Sequence, residues 1–429
     1  MKSRLHTTTQ AKCGAIPQMT IAIMTRVVQK FGGTSVGNVE RIRNAATRIK
    51  TAYERGERIA VIVSAMAGKT NRLVELCANV APLHDAREYD VVVSSGEQVT
   101  CGLMALALQE LGVPARSWLA WQIPIRTDDV HGKARIEEID TEEIGAHIDS
   151  GEVAVVAGFQ GLGPSNRLTT LGRGGSDASA VALAAALGAE RCDIFTDVDG
   201  VYTSDPRIVT KARKLDNIAY EEMLEMASLG AKVLQTRAVE LAMRHRVTLQ
   251  VLSSSEDLPG TLLVDEDQIV EKDIISGIAY SRNESKVTLT EIADRPGLAA
   301  MVFGPLAGAG VNVDMIVQSA SHDGESADIT FTVGTADLER ALAILGEERG
   351  ALGFNELLSD SDVVKVSVIG VGMRTHAGVA RTMFETLSEK GINIQVISTS
   401  EIKISVLIAE EYTELALRSL HAAYGLDAD

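Results

Sequence analysis

The stretch VVQKFGGTSVG, residues 27–37, ends a short apolar run with a lysine and follows it at once with Phe31, two glycines, a threonine and a serine. A β-branched run closing on glycines reads as a strand entering a tight turn. Beyond the turn, Asn38–Tyr53 carries apolar residues at helical spacing. Strand, glycine loop and helix N-terminus in that order leave bare backbone N–H groups suited to phosphate oxygens. In the loop G-x-x-x-x-G-K-[ST] the lysine follows the glycines, whereas Lys30 precedes Gly32 and Gly33. The segment is therefore either a phosphate loop of another design, with Lys30 facing a transferred phosphoryl group, or only a tight turn.

The surrounding sequence sets the fold class. Through residue 264 the β-branched runs IAVIVSA (59–65), EVAVVAGF (152–159), RCDIFTDV (191–198) and VTLQVLS (247–253) alternate with helical patterns at Asn38–Tyr53, Ser94–Leu111, Ser176–Leu187 and Tyr220–His245. That alternation predicts an α/β domain with a mostly parallel sheet covered on both faces. The acidic stretch DEDQIVEKD (265–273) reads as a linker. After it, Gly297, Phe303, Leu306, Gly310, Asn312 and Ile316 recur as Gly378, Phe384, Leu387, Gly391, Asn393 and Ile397, each 81 positions later. This is a duplicated module of ferredoxin-like type, with strand, glycine turn, helix, second glycine turn and strand in each copy.

Composition bounds the function. A chain of 429 residues implies two or three domains. Its 45% hydrophobic and 23% charged residues are those of a globular protein, and no continuous apolar run reaches membrane-spanning length. A formal charge of -17 without clustered Lys and Arg argues against nucleic acid as a partner. Cys13, Cys77, Cys101 and Cys192 are scattered, which suits a reducing compartment and argues against a zinc site. Residues 1–25 read as a disordered tail, or as sequence ahead of a start at Met19 or Met24.

Several motifs fail on inspection. AMAGKT (65–70) has Val63 where a Walker loop needs its first glycine, and GRGGSD (172–177) and GVGMRT (370–375) lack the third glycine of a dinucleotide fingerprint. DVDG (197–200) opens like a calcium loop, but Ile208 stands in place of the bidentate Glu. Others carry weight. In TTLGRGGSD (169–177), Gly172, Gly174 and Gly175 leave backbone open and Ser176 or Asp177 is placed to cap the next helix. Arg173 among those glycines suits a bidentate carboxylate or phosphate contact. TDVDGVYTSDPR (196–207) offers acids, Tyr202 and Arg207 to a nucleotide, though a solvated loop accounts for it equally well. SSGEQ (94–98) puts Glu97 at the start of an apolar helix, and GAKVLQTRAVE (230–240) puts Lys232 ahead of another.

Taken in order, QKFGGTSVG, VSAMAGKTNRL, SSGEQ, AGFQG, TTLGRGGSD, TDVDGVYTSDPR and GAKVLQTRAVE resemble the aspartate kinases of the amino acid kinase superfamily. The duplicated tail resembles their paired ACT domains, so the likeness spans residues 26–429. It implies a three-layer α/β/α sandwich over 26–264 followed by two ferredoxin-like βαββαβ ACT domains. It further implies transfer of the ATP γ-phosphoryl group to the β-carboxylate of L-aspartate, the first step toward lysine, threonine, methionine and diaminopimelate. By the same likeness Lys30 neutralises the transferring group, Gly32 and Gly33 supply N–H groups, and Asp177 organises Lys30. No general base is implied, because a carboxylate nucleophile is already ionised at neutral pH.

Ser64 and Thr70 match positions near the substrate, as do Gly174, Gly175 and Ser176. Glu97 matches the acid that pairs with the substrate ammonium, and Arg173 the arginine that grips its carboxylate. Thr196, Asp197, Tyr202, Asp205, Arg207 and Lys232 match the ATP site, with Mg2+ held mainly by the nucleotide and no metal site of the protein's own.

In the tail the likeness implies feedback inhibition by lysine, threonine or both, with Asp294, Asn312, Asp314, Gln318, Asn393 and Thr399 as candidate effector contacts. It also implies a cytoplasmic homo-oligomer joined through ACT domains, with a separate ACT-only subunit as a further partner class. One ACT unit is expected within the other: residues 274–345 with a last strand at about 411–429 as the first, and 346–410 as the second. MRTHAGVA (373–380) departs from the family pattern by lacking a proline before its glycine. No dinucleotide fingerprint follows the ACT pair, so a fused homoserine dehydrogenase is not expected. Kinases of glutamate, acetylglutamate or UMP are disfavoured by the ACT pair and SSGEQ, and a sensor without chemistry by Lys30, Arg173 and Asp177.

Overall fold

The computed structural model describes residues 25–230, 233–269, 274–320 and 325–427. The N-terminal tail, Lys232 and most of the second half of the linker lie outside the described residues. The strands of the first domain are β1 (Arg26–Phe31), β2 (Arg58–Val63), β3 (Ala115–Trp118), β4 (Ile125–Thr127), β5 (Ile136–Ile139), β6 (Val153–Ala157), β7 (Gln160–Leu162), β8 (Leu168–Thr170), β9 (Arg191–Thr196), β10 (Asn217–Ala219), β11 (Leu249–Ser253) and β12 (Thr261–Val264). Its helices are α1 (Val39–Glu54), α2 (Lys69–Val80), α3 (Ala86–Glu110), α4 (Glu142–Asp149), α5 (Gly175–Leu187), α6 (Tyr220–Ser228) and α7 (Thr236–His245).

Eight strands form one sheet in the order β10, β12, β11, β9, β1, β2, β6, β3, parallel except where β11 meets β12. Alternate residues of its central strands serve two cores, as a doubly covered parallel sheet requires. Val28, Ala60, Ala154 and Cys192 pack with Val181 and Ala184 of α5, Met223 of α6 and Val239 of α7. Ile59, Val61, Val153 and Val155 pack on the other face with Ile42 and Ile49 of α1 and Met104 and Leu108 of α3. This is the expected three-layer sandwich. The period of two that turns Val28 toward α5 turns Lys30 the same way, which brings it to the helix carrying Asp177. A second sheet, in the order β5, β4, β7, β8, leads into the Gly172–Gly175 turn.

Three local expectations change. The helix through SSGEQ begins at Ala86, capped by Asp85, so Glu97 lies well inside α3 and not at a helix N-terminus. That helix is long and apolar enough to cross a membrane by length and composition, yet its buried face holds Asp90, Ser94, Glu97 and Thr100. Helix α5 is capped by the backbone of Gly174, leaving Ser176 and Asp177 inside its first turn as side chains free to face the site. The pattern over Tyr220–His245 is two helices, α6 and α7.

The tail adds β13 (Gly277–Ser281), β14 (Ser285–Ala293), β15 (Val313–Ala320), β16 (Ser326–Val333), β17 (Leu357–Asp360), β18 (Val363–Ile369), β19 (Val396–Thr399) and β20 (Lys403–Ala409). Its helices are α8 (Leu298–Gly308), α9 (Leu338–Glu347), α10 (Arg349–Leu352), α11 (Val379–Glu389) and α12 (Thr413–Ala423). Two antiparallel sheets result, in the orders β15, β16, β14, β17 and β13, β18, β20, β19. One unit is indeed nested in the other, but not as the sequence suggested. The continuous unit is residues 285–360, and it interrupts a second unit made of β13 and residues 363–427. Residues 413–423 form a helix, because Ala416, Leu417 and Leu420 recur with helical spacing and bury themselves with Val366 and Val406.

This second unit is seated on the kinase domain. Glu222 of α6, buried, accepts from Ser276 Oγ at 2.5 Å and from Val371 N at 2.9 Å. Lys403 reaches Glu225 at 2.7 Å. The buried His421 Nε2 lies 2.8 Å from Thr203 Oγ1, and Ile278 N donates to Thr203 O at 2.8 Å.

Candidate active site

Lys30 leaves the end of β1 and places its Nζ 2.5 Å from Asp177 Oδ1, each side chain about 10% exposed. The following loop is held to two neighbouring strands. Gly32 N and Ser35 Oγ both donate to Phe195 O at 3.3 Å, and Phe31 stacks on Phe195 with ring centroids 4.6 Å apart. Gly32 therefore spends its N–H on β9 and is not the free donor expected. The N–H groups of Gly33, Thr34 and Ser35 have no hydrogen-bond partner among the described residues. A Cβ on Gly33 would lie 2.9 Å from Ala65 O, so two backbones touch here and only glycine fits.

Ala65 is also where the third functional group arrives. Its N–H donates to Glu97 Oε1 at 3.0 Å, and Oε2 of the same buried carboxylate has no partner. Burial pushes the Glu97 carboxyl up to about 7, against the lowering effect of the Ala65 N–H. Ser64, half-buried, precedes Ala65, and Thr70 stands in the first turn of α2.

The opposite wall is the turn after β8. Arg173 is exposed at its tip, Gly174 adopts φ +74, and a Cβ there would collide with Gln235. Ser176 is buried beside Asp177 in the first turn of α5.

The nucleotide-loop candidates divide. Thr196 and Asp197 adjoin Phe195, and Thr196 Oγ1 donates to Asp197 Oδ1 at 3.1 Å. Further along the loop, Tyr202 Oη donates to Asp199, Arg207 is exposed, and Asp205 also meets the ACT unit. Asp205 binds Arg207 Nη2 at 2.8 Å and accepts from Tyr280 Oη of β13 at 3.3 Å, and Tyr202 packs against the ACT core. Arg207 beside it holds the Asp205 carboxyl below its usual range. Among the described residues no group of three acidic, His or Cys side chains is spaced to hold a metal. The buried Cys101 thiol is pushed up to about 12 by desolvation, which removes it as a nucleophile.

Of the effector candidates, Gln318 Nε2 donates to Asp294 Oδ1 at 3.2 Å, so these two do converge. Asp314 is held by the buried Lys365 at 2.7 Å, and Lys365 also pairs with Glu284 at 2.6 Å, tying the two ACT units together. Asn312, Asn393 and Thr399 are exposed.

A group of residues escaped the sequence reading. Asp90 of α3, fully buried, accepts from Thr170 Oγ1 at 2.5 Å and Gly132 N at 3.1 Å, and faces His131 Nδ1 at 2.7 Å. Arg237 of α7 donates to Leu171 O at 2.8 Å and Ala134 O at 2.9 Å. The available signal was Asp90 itself, a carboxylate in an apolar helix two turns before Glu97.

A phosphate-type loop, a lysine–aspartate pair and tandem ACT units define an amino acid kinase with attached ACT domains. The sequence matches the amino acid kinase family over residues 25–253 and the ACT domain over 286–350 and again over 366–424. It is 54% identical to the aspartate kinase of Stutzerimonas stutzeri over 406 residues, covering 94% of this chain and 98% of that one. To the aspartokinase of Pseudomonas aeruginosa it is 54% identical over 407 residues, with the same coverages of 94% and 98%. Among solved structures it is similar to E. coli aspartokinase III in complex with aspartate and ADP, with a TM-score of 0.77 at 29% identity over 92% of this chain and 99% of that one. The chain belongs to the aspartate kinase family and is a kinase with ACT regulatory domains.

Proposed function

We propose that the chain transfers the γ-phosphoryl group of Mg·ATP to the β-carboxylate of L-aspartate, giving 4-phospho-L-aspartate and ADP. The observation that carries this reading is the meeting at Ala65 of the Gly33 loop, which follows Lys30, and the buried Glu97, whose Oε2 is unpartnered. A phosphoryl-binding wall and an ammonium acceptor thus share one residue of backbone. A carboxylate oxygen of aspartate attacks phosphorus while the bond to the β,γ-bridging oxygen breaks, and ADP leaves with the electron pair. No proton need move, because the nucleophile is ionised. Lys30, fixed by Asp177, offsets the charge on the moving group, and the Gly33–Ser35 N–H groups face its oxygens. Glu97 pairs with the substrate ammonium and Arg173 with its α-carboxylate, flanked by Ser64, Thr70, Gly174, Gly175 and Ser176. Thr196, Asp197 and Lys232 contact the nucleotide, and Mg2+ enters with it as part of the substrate. The E. coli complex with aspartate and ADP supports both ligand classes.

The same reading makes the ACT pair a feedback device of amino-acid biosynthesis in the cytoplasm, answering to lysine, threonine or both within an ACT-joined oligomer. A second E. coli aspartokinase III structure, with lysine and aspartate, supports it at a TM-score of 0.75 and 29% identity over 92% of this chain and 98% of that one. The Asp294–Gln318 pair is the first candidate contact.

Trapping the acyl phosphate with hydroxylamine tests the reaction. Hydroxamate is expected from L-aspartate and not from L-glutamate or N-acetylglutamate. Lys30→Ala is expected to lower turnover by about 10²–10³-fold. No hydroxamate above blank with aspartate overturns the substrate, and near-normal turnover by Lys30→Ala overturns the role of the lysine.

A further inference from the structure

The two charges that read an α-amino acid stand on different elements, Glu97 on α3 and Arg173 on the turn after β8, so something must fix their separation. Helix α3 carries a second buried carboxylate, Asp90, seven residues before Glu97 and about 10 Å along the same face. Asp90 is fully buried and no lysine or arginine pairs with it among the described residues. Its partners are Thr170 Oγ1 at 2.5 Å, Gly132 N at 3.1 Å and His131 Nδ1 at 2.7 Å. Thr170 is the last residue of β8, three before Arg173.

The loop around His131 closes over the same turn. Ala134 N donates to Thr170 O at 2.9 Å, and a Cβ on Gly172 would lie 3.1 Å from Gly132 O. Arg237 clamps the carbonyls of Leu171 and Ala134 at 2.8 and 2.9 Å. Beneath, Leu171 N donates to Phe159 O at 2.9 Å. The turn is therefore bound on three sides, and the side leading back to Glu97 runs through Asp90. A buried carboxylate is costly unless its oxygens are satisfied, so removing His131 or the Thr170 hydroxyl frees Asp90 to seek other partners and releases the turn.

We infer that the Asp90–His131–Thr170 cluster is a positioning device that sets the distance between Glu97 and Arg173, and with it the grip on the α-ammonium and α-carboxylate of the amino-acid substrate. The inference rests on the proposed roles of Glu97 and Arg173. None of the three residues is assigned contact with a substrate.

The test is steady-state kinetics on the full-length protein with the hydroxamate readout. His131→Ala is expected to raise KM for aspartate about tenfold, a loss of ground-state binding, with KM for ATP within about twofold. His131→Asn, whose amide nitrogen falls near the position of Nδ1 and can donate to Asp90, is expected to restore most of the affinity. Thr170→Val, which deletes the hydroxyl and keeps the shape, is expected to act in the same direction and serves if His131→Ala does not fold. Unchanged KM for aspartate, equal rises for both substrates, or no rescue by His131→Asn overturns the inference. Glu97→Gln and Arg173→Ala separate it from the reading beneath it: if they raise KM for aspartate while His131→Ala and Thr170→Val do not, only the positioning role fails. If neither pair does, the substrate site itself is wrong and the inference falls with it.

Discussion

Burial pushes the Glu97 carboxyl up to about 7 from an ordinary 4.5. Between those values the folded protein holds a proton that the unfolded chain has released. Stability is therefore highest below the ordinary value, falls as pH rises toward 7, and is level beyond it. The shift corresponds to about 3 kcal/mol withheld from the folded state at alkaline pH. A residue serving only the fold would be replaced by an amide, which keeps the acceptor for Ala65 N and sheds the charge. Glu97→Gln is accordingly expected to melt above wild type at pH 8 without substrate, with the difference vanishing near pH 4.5. The same change is expected to raise KM for aspartate by 10²-fold or more, on the order of a lost charge-assisted contact. In wild type, kcat/KM for aspartate is expected to rise with pH and level off above about 7. A Glu97→Gln protein that melts lower at pH 8 and binds aspartate normally would show the carboxylate to be structural.

The glycine loop and the end of β2 work as one element, because the Gly33 position lies against Ala65 O and Ala67 N donates to Gly33 O at 3.1 Å. Gly33→Ala puts a Cβ 2.9 Å from that carbonyl, and neither backbone can turn aside. The loop must lift from the Glu97 side, so turnover is expected to fall tenfold or more through lost alignment. A stability loss of about 1–3 kcal/mol should accompany it. A kinetic measurement finding raised KM alone, with turnover intact, would mean that the loop binds without aligning. The loop, β1, β2, β6, β9 and β11 were legible because buried parallel strands are continuous apolar runs. The hairpin β7–β8 and the strands β4 and β5 were not, being three or four residues long and half polar. Lys30, Asp177 and Glu97 stood in quotable motifs, while Asp90 and His131 lie 41 residues apart and acquire meaning only when α3 packs against the β8 turn. The engagement of Asp205 by Tyr280 was not legible either, because Tyr280 lies 75 residues away in another domain.

Across the whole molecule, the repeat in the tail announced two like units, and a repeat cannot say which unit is cut open. Gly297 and Gly378 cap α8 and α11 alike with φ +91 and +108, so local sequence is equivalent in both copies. Pairing decides: β13 joins β18 in register Gly277 to Ile369, which leaves the intervening 285–360 as the insert. The contacts to Thr203, Glu222 and Glu225 of the kinase domain come from the interrupted unit, which gives an effector held in the insert a route through it. Leu417 of α12 is fully buried in the core with Val366 and Val406. Leu417→Ala is expected to cost about 2–5 kcal/mol of local stability. Hydrogen exchange should locate that cost: amides of Val363–Ile369 and Lys403–Ala409 lose protection, while those of Ser285–Ala293 and Ser326–Val333 keep it. If instead the insert loosens first, residues 411–429 belong to it after all. Because the interrupted unit is the one seated on α6, the same variant is expected to weaken inhibition by lysine or threonine more than it weakens uninhibited turnover.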